Sequence, residues 1–108
     1  MIKTEILSLT LTGGTTYDCI TPRKNDGTAN ALYAAITDIT PTYALLQVKA
    51  PNGGLKYKFN TGDEYVEVAA GDFLQHPYDA ATPTEPCQDS IYILGAGTVK
   101  IEISYWVN

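Results

Sequence analysis

The sequence predicts an all-β fold, a two-sheet antiparallel β-sandwich of eight or nine short strands, and three observations lead there. Residues 98–108, TVKIEISYWVN, place Val99, Ile101, Ile103, Tyr105 and Val107 on one parity and Thr98, Lys100, Glu102 and Ser104 on the other. That alternation belongs to a strand with one buried and one wet face. Threonine, valine, isoleucine and tyrosine, which suit pleated and half-buried surfaces, recur through the chain. Nine glycines and six prolines punctuate the apolar runs, at the spacing of turns in a sandwich or barrel. A chain of 108 residues holds material for one core and not two, hence a single domain over residues 1–108.

Taken in order, Leu7, Leu9 and Leu11 alternate with Ser8, Thr10 and Thr12 before Gly13-Gly14, a strand running into a tight turn. Tyr17 to Thr21 reads as a second strand, ended by Pro22, which has no N–H to give to a ladder. Residues 23–28, RKNDGT, form a polar turn. Residues 29–39, ANALYAAITDI, are expected to make a short strand, although alanine and leucine favour helix. Alternatively, residues 23–42 form an arm that orders only on a partner.

Residues 43–50, YALLQVKA, carry Ala44, Leu46 and Val48 on one face and Tyr43, Leu45 and Gln47 on the other. Two partly apolar faces suit a central strand. Asn52-Gly53-Gly54 and Thr61-Gly62-Asp63 then read as hairpin turns, joining that strand to residues 55–60, LKYKFN, and residues 64–70, EYVEVAA, in a three-stranded meander. Gly71-Asp72 turns the chain into residues 73–76, FLQH. Residues 77–90, PYDAATPTEPCQDS, contain three prolines and make a long loop, of a kind that tends to be functional or disordered. Residues 91–94, IYIL, with Gly95-Ala96-Gly97 and the closing strand, are expected to form a last hairpin.

Composition narrows the functional classes. A net charge of −5 with no basic run longer than Arg23-Lys24 repels nucleic-acid backbones and anionic membranes, so neither is an expected partner. No stretch reaches the roughly 20 apolar residues of a membrane helix. The first residues lack a basic region followed by an apolar core, so the expected location is the cytoplasm or a particle packaged from it. Cys19 and Cys87 are the only cysteines. Two reduced thiols are the favoured expectation without a secretion signal; a bridge would close a loop of about 70 residues and require an oxidising destination.

No constellation for catalysis stands out. His76 is the sole histidine and precedes Pro77 at the mouth of the long loop, where a solvated or capping imidazole is the plainer reading than a base. One histidine and two distant cysteines do not space a zinc site, and NDGT is too short for a calcium loop. The glycine-rich NGG and GAG do not lead a strand into a helix, as a phosphate cradle requires. The chain therefore reads as non-enzymatic, with no cofactor and no metal.

The aromatic residues carry the remaining signal. Eight tyrosines and one tryptophan stand against two phenylalanines, a skew toward rings with a polar end, which suit interfaces. Parity puts Tyr57 and Tyr105 on core faces and Tyr43, Tyr92 and Trp106 on the opposite ones. With His76 and Tyr78 they are the candidate interface residues. Either they form a patch, or loops, an N-terminal segment or a bulge near the terminus cover or turn them.

The run YALLQVKAPNGGLKYKFNTGDEYVEVAAGDFL, a loop, and then SIYILGAGTVKIEISYW resembles small jelly-roll-like virion proteins of tailed bacteriophages. The resemblance rests on strand order and turn placement over about the last 60% of the chain. It implies a jelly-roll-like sandwich and a non-enzymatic structural role in the virion, most of all capsid decoration or cementing. The expected partners are the major capsid protein or neighbouring copies, in a homo-oligomer and preferably a trimer. A carbohydrate-binding module of a tail or adhesion apparatus is the alternative.

Overall fold

The computed structural model describes residues 1–14, 17–24, 27–39, 43–59, 62–77 and 90–107. Eight strands form among them: β1 (Ile2–Leu11), β2 (Asp18–Cys19), β3 (Tyr43–Lys49), β4 (Leu55–Phe59), β5 (Val66–Val68), β6 (Phe73–Pro77), β7 (Ile91–Leu94) and β8 (Gly97–Trp106). They build two antiparallel sheets, β1-β8-β3-β6 and β2-β7-β4-β5, called here the first and second sheet. The predicted β-sandwich is thus the observed fold.

The pairing has a simple logic. β1 lies against β8, β2 against β7, β3 against β6 and β4 against β5, so each strand meets the one equally far from the other end of the chain. Rolling that long double ribbon across its width adds the β3–β8 and β4–β7 contacts and closes two sheets over one core. This is the jelly-roll arrangement. β3 and β8 are both central strands, as the apolar character of β3 on both faces requires.

The rolled topology overturns two of the expected hairpins. Only β4 and β5 are neighbours in one sheet; β3 and β4 lie in different sheets, and so do β7 and β8. Asn52-Gly53-Gly54 and Gly95-Ala96 therefore carry the chain across the sandwich. Glycine signals that the backbone reverses sharply, and a reversal between sheets needs the same freedom as one within a sheet. Gly54 has φ of 80° and a Cβ there would stand 3.2 Å from the Val68 carbonyl oxygen, so a side chain at that position is strained and crowded.

Residues 29–39 do not form the expected strand. Ala31–Tyr33 is a 3-10 turn, opened by Asn30, whose Oδ1 accepts from the Leu32 N–H at 3.0 Å. The Asn30 amide also donates to the carbonyls of Cys19 at 2.6 Å and Thr21 at 3.0 Å. Tyr33 is buried and its hydroxyl donates to the Ile20 carbonyl. Leu32, Ile36 and Ile39 pack on the core. Their spacing of three to four suits one side of a turn-rich segment, and burial selects it over the extended form. The described part of residues 23–39 is therefore fastened to the body, not a free arm.

Alternation fills the core as read from the sequence. Leu46, Val48, Ile91, Ile93, Ile101, Ile103 and Tyr105 are fully buried, and Leu11, Leu55 and Val99 nearly so; Tyr57 packs against them. One parity breaks. The register passes from Tyr43 opposite Tyr105 to Leu45 opposite Ser104, so β3 spends one extra residue, Ala44, where β8 spends none. Such a bulge turns everything beyond it to the other face. Tyr43 accordingly points inward and is fully buried, not outward with Leu45 and Gln47 as expected.

Candidate interaction surfaces

The three rings expected to share a patch are separated by the fold. Tyr43 is in the core. Tyr92 lies on β7 of the second sheet, and Trp106 ends β8 of the first, each half-buried and on the outer face of its sheet. Tyr78 lies outside the described residues, as does Cys87. Cys19 has no disulfide partner among the described residues, and its sulfur is 3.2 Å from the Thr21 hydroxyl.

His76 departs from the solvated role expected of it. It stands opposite Leu46 in the β3–β6 register, which turns its ring inward. There its Nδ1 is 2.8 Å from the Tyr43 hydroxyl, and its ring centroid is 5.9 Å from that of Tyr43 and 5.3 Å from that of Phe59. The imidazole closes one end of the core between two aromatic rings.

The outer face of the first sheet carries rows of paired side chains. Because β1 and β8 run in unbroken register over ten pairs, residues of one parity stand side by side: Ile2 with Trp106, Thr4 with Ser104, Ile6 with Glu102, Thr10 with Thr98. The Thr4 and Ser104 hydroxyls are 2.9 Å apart, those of Thr10 and Thr98 3.2 Å, and Gln75 Nε2 donates to Gln47 Oε1 at 3.1 Å. Ile2 and Ile6 on β1 and Phe73 on β6 are 46%, 64% and 49% exposed on this face, an unusual outlay of apolar surface among polar neighbours.

The outer face of the second sheet carries a different arrangement. Lys58 and Tyr92 are opposite one another in the β4–β7 register. Tyr17 packs edge-on against Tyr92 at 5.1 Å and against Tyr65 at 6.4 Å. The Lys58 ammonium sits 4.5 Å above the centroids of both Tyr17 and Tyr65, which leaves this outward-facing lysine only 7% exposed. The aliphatic stem of a lysine packs well on rings and its charge is attracted to their faces. Sequence parity put Lys58 in water; the surplus of tyrosines was the one signal of what covers it.

A polar knot marks the end of the first sheet near the N-terminus. Lys3 Nζ is 2.6 Å from Asp38 Oδ2, both partly exposed, and the Tyr105 hydroxyl donates to Asp38 Oδ1 at 3.2 Å. The Lys3 hydrogen bond holds the Asp38 carboxyl below the usual carboxylate range, and Asp38 in turn raises Lys3. Burial first, then the bond to Asp38, pushes the Tyr105 phenol up to about 12.

Among the described residues no three His, Cys, Asp or Glu side chains gather as a metal site would need. An open groove of about 650 Å³ between Gly53-Gly54 and Ala69-Ala70 has Lys56 and Glu67 as its charged lining, themselves 3.8 Å apart. No protein-family model, no curated protein and no solved structure matches the chain. Its chemistry is therefore read from its own surfaces.

Proposed function

We propose that this chain is a non-enzymatic structural protein of a bacteriophage virion, assembled in the host cytoplasm, which decorates or cements the capsid by adhesion to the major capsid protein and to neighbouring copies. The observation that carries this reading is the outer face of the first sheet of a jelly-roll domain, where exposed apolar side chains stand among paired polar ones. β1 and β8 in unbroken register hold paired hydroxyls there, β3 and β6 add an amide pair, and Trp106 and three exposed apolar side chains stand among them. Adhesion asks for that combination of rigidity, polar pairing and a few ring anchors, and for no reaction. The fold alone assigns no role, so the surface bears the weight.

The test is co-sedimentation of the purified protein with phage heads that lack their decoration proteins. Binding is expected, and Trp106→Ala should weaken it by ~2 kcal/mol or more, which is roughly thirtyfold. Protein left in the supernatant, or a variant that binds as tightly as the parent, would sink the reading.

A carbohydrate-binding module of a tail or adhesion apparatus is favoured by a different observation, the tyrosine cluster of the second sheet, since jelly rolls also serve as lectins. Tyr17 and Tyr65 each give one ring face to Lys58, which reduces what they offer a sugar. Glycan-induced shifts of the tyrosine ring signals would support this second reading.

A further inference from the structure

β1 is the outermost strand of the first sheet, and among the described residues no strand pairs with its free side. The Val107 N–H donates to the Met1 carbonyl at 2.9 Å, so odd residues of this stretch turn their backbone groups toward β8. Even residues, Ile2, Thr4 and Ile6 among them, therefore turn theirs to the open edge. Strand edges of this kind are templates for another strand, and β1 carries no proline and no bulge over its ten residues. Three of the exposed large apolar residues, Met1 at 77%, Ile2 at 46% and Ile6 at 64%, are concentrated here.

We infer that two copies of this chain associate edge to edge through β1, antiparallel about a two-fold axis at Thr4, joining their first sheets into one of eight strands. The order Met1-Ile2-Lys3-Thr4-Glu5-Ile6-Leu7 is complementary to its own reverse. In this register Met1 faces the partner's Leu7, Ile2 the partner's Ile6, Lys3 the partner's Glu5, and Thr4 its own equivalent. Every pair is apolar with apolar, hydroxyl with hydroxyl or cation with anion, the combinations that stabilise cross-strand neighbours. Ile2, Thr4 and Ile6 supply the backbone donors and acceptors, while Lys3 and the partner's Glu5 form a non-hydrogen-bonded pair, whose side chains come closest.

The charges select the register. Inward-pointing charges normally protect an edge, and they do so here against other alignments. An axis at Glu5 would oppose two carboxylates, and one at Ile6 would set Lys3 and Glu5 against leucines. Only the axis at Thr4 neutralises both, which makes the same residues attractive in one pairing and repulsive in the rest. A groove of about 490 Å³ runs between Lys3–Leu7 and residues 35–38, giving the partner's inward side chains room, and Lys3 can keep Asp38 while meeting the partner's Glu5. On the outer face Ile2 then lies between Trp106 and the partner's Ile6, so part of the apolar surface of β1 is covered. This pairing is independent of the virion reading and holds whatever the particle.

Sedimentation equilibrium tests it. The parent should reach twice the 11.7 kDa chain mass, with a concentration-dependent change in the emission of its one tryptophan. Glu5→Lys leaves only lysines to face one another, and Lys3→Glu only glutamates; each alone should raise the dimer dissociation constant by about tenfold or more. Mixing the two restores opposite charges at every contact and should give a mixed dimer, which a misfolded variant could not form. A parent that stays monomeric or forms a trimer, variants that dimerise like the parent, or a mixture that forms no mixed dimer would overturn the inference.

Discussion

The hydroxyl of Tyr43 lies 2.8 Å from Nδ1 of His76, linking a fully buried ring of β3 to the one histidine of the chain. The contact exists because the bulge at Ala44 turns Tyr43 inward and the β3–β6 register turns His76 the same way. Tyr43→Phe keeps the packing and removes the hydrogen bond, with an expected cost of about 1 kcal/mol in urea unfolding. Tyr43→Ala also opens a cavity, for about 3 to 5 kcal/mol. Equal midpoints for parent and Tyr43→Phe would show that the bond contributes nothing.

Tyr105 makes the fold sensitive to alkali. Its folded-state value of about 12 lies above the ordinary 10.0, so the neutral phenol is favoured by folding. That stability is whole below pH 10 and is lost as pH rises toward 12. Burial raises Tyr33 in the same direction. Thermal midpoints should fall across this window, and phenolate absorbance should show at least two tyrosines titrating late. Tyr105→Phe should flatten part of the fall.

The Lys58 ammonium between two tyrosine rings predicts coupling that mere proximity would not. A double-mutant cycle of Lys58→Met with Tyr17→Leu should return about 0.5 to 2 kcal/mol of interaction, since a shielded cation over a ring face is worth that much. A coupling near zero would show that the Tyr17 ring face contributes nothing to holding the Lys58 charge.

Gly54→Ala tests the crossing between sheets. The position combines φ of 80° with a carbonyl oxygen 3.2 Å from any added Cβ. The left-handed conformation costs an L-residue about 1–2 kcal/mol, and the contact adds to it. Gly53→Ala, where nothing approaches a Cβ within 4 Å, is the control and should cost less.

The period-two alternation in the sequence determined where the strands run, which residues of most strands enter the core, and that the fold is a sandwich. These are local consequences of a pleated backbone, which sends neighbouring side chains to opposite faces. The same local reading failed over residues 29–39, where burial of Tyr33, Leu32 and Ile36 outweighs extended propensity. It failed at Tyr43 too, because one extra residue at Ala44 shifts the parity and leaves no mark in the composition.

Only the tertiary structure decided which strands pair, since a glycine turn looks alike whether the chain returns beside its strand or across the core. It also decided that Tyr92 and Trp106 lie on different sheets, and that Tyr17 and Tyr65, far apart in sequence, meet over Lys58. Ile2-Lys3-Thr4-Glu5-Ile6 shows both halves at once. Its self-complementary order is written in the chain, but it gains meaning from the fold, which leaves β1 outermost among the described strands with the backbone groups of its even residues turned away from β8.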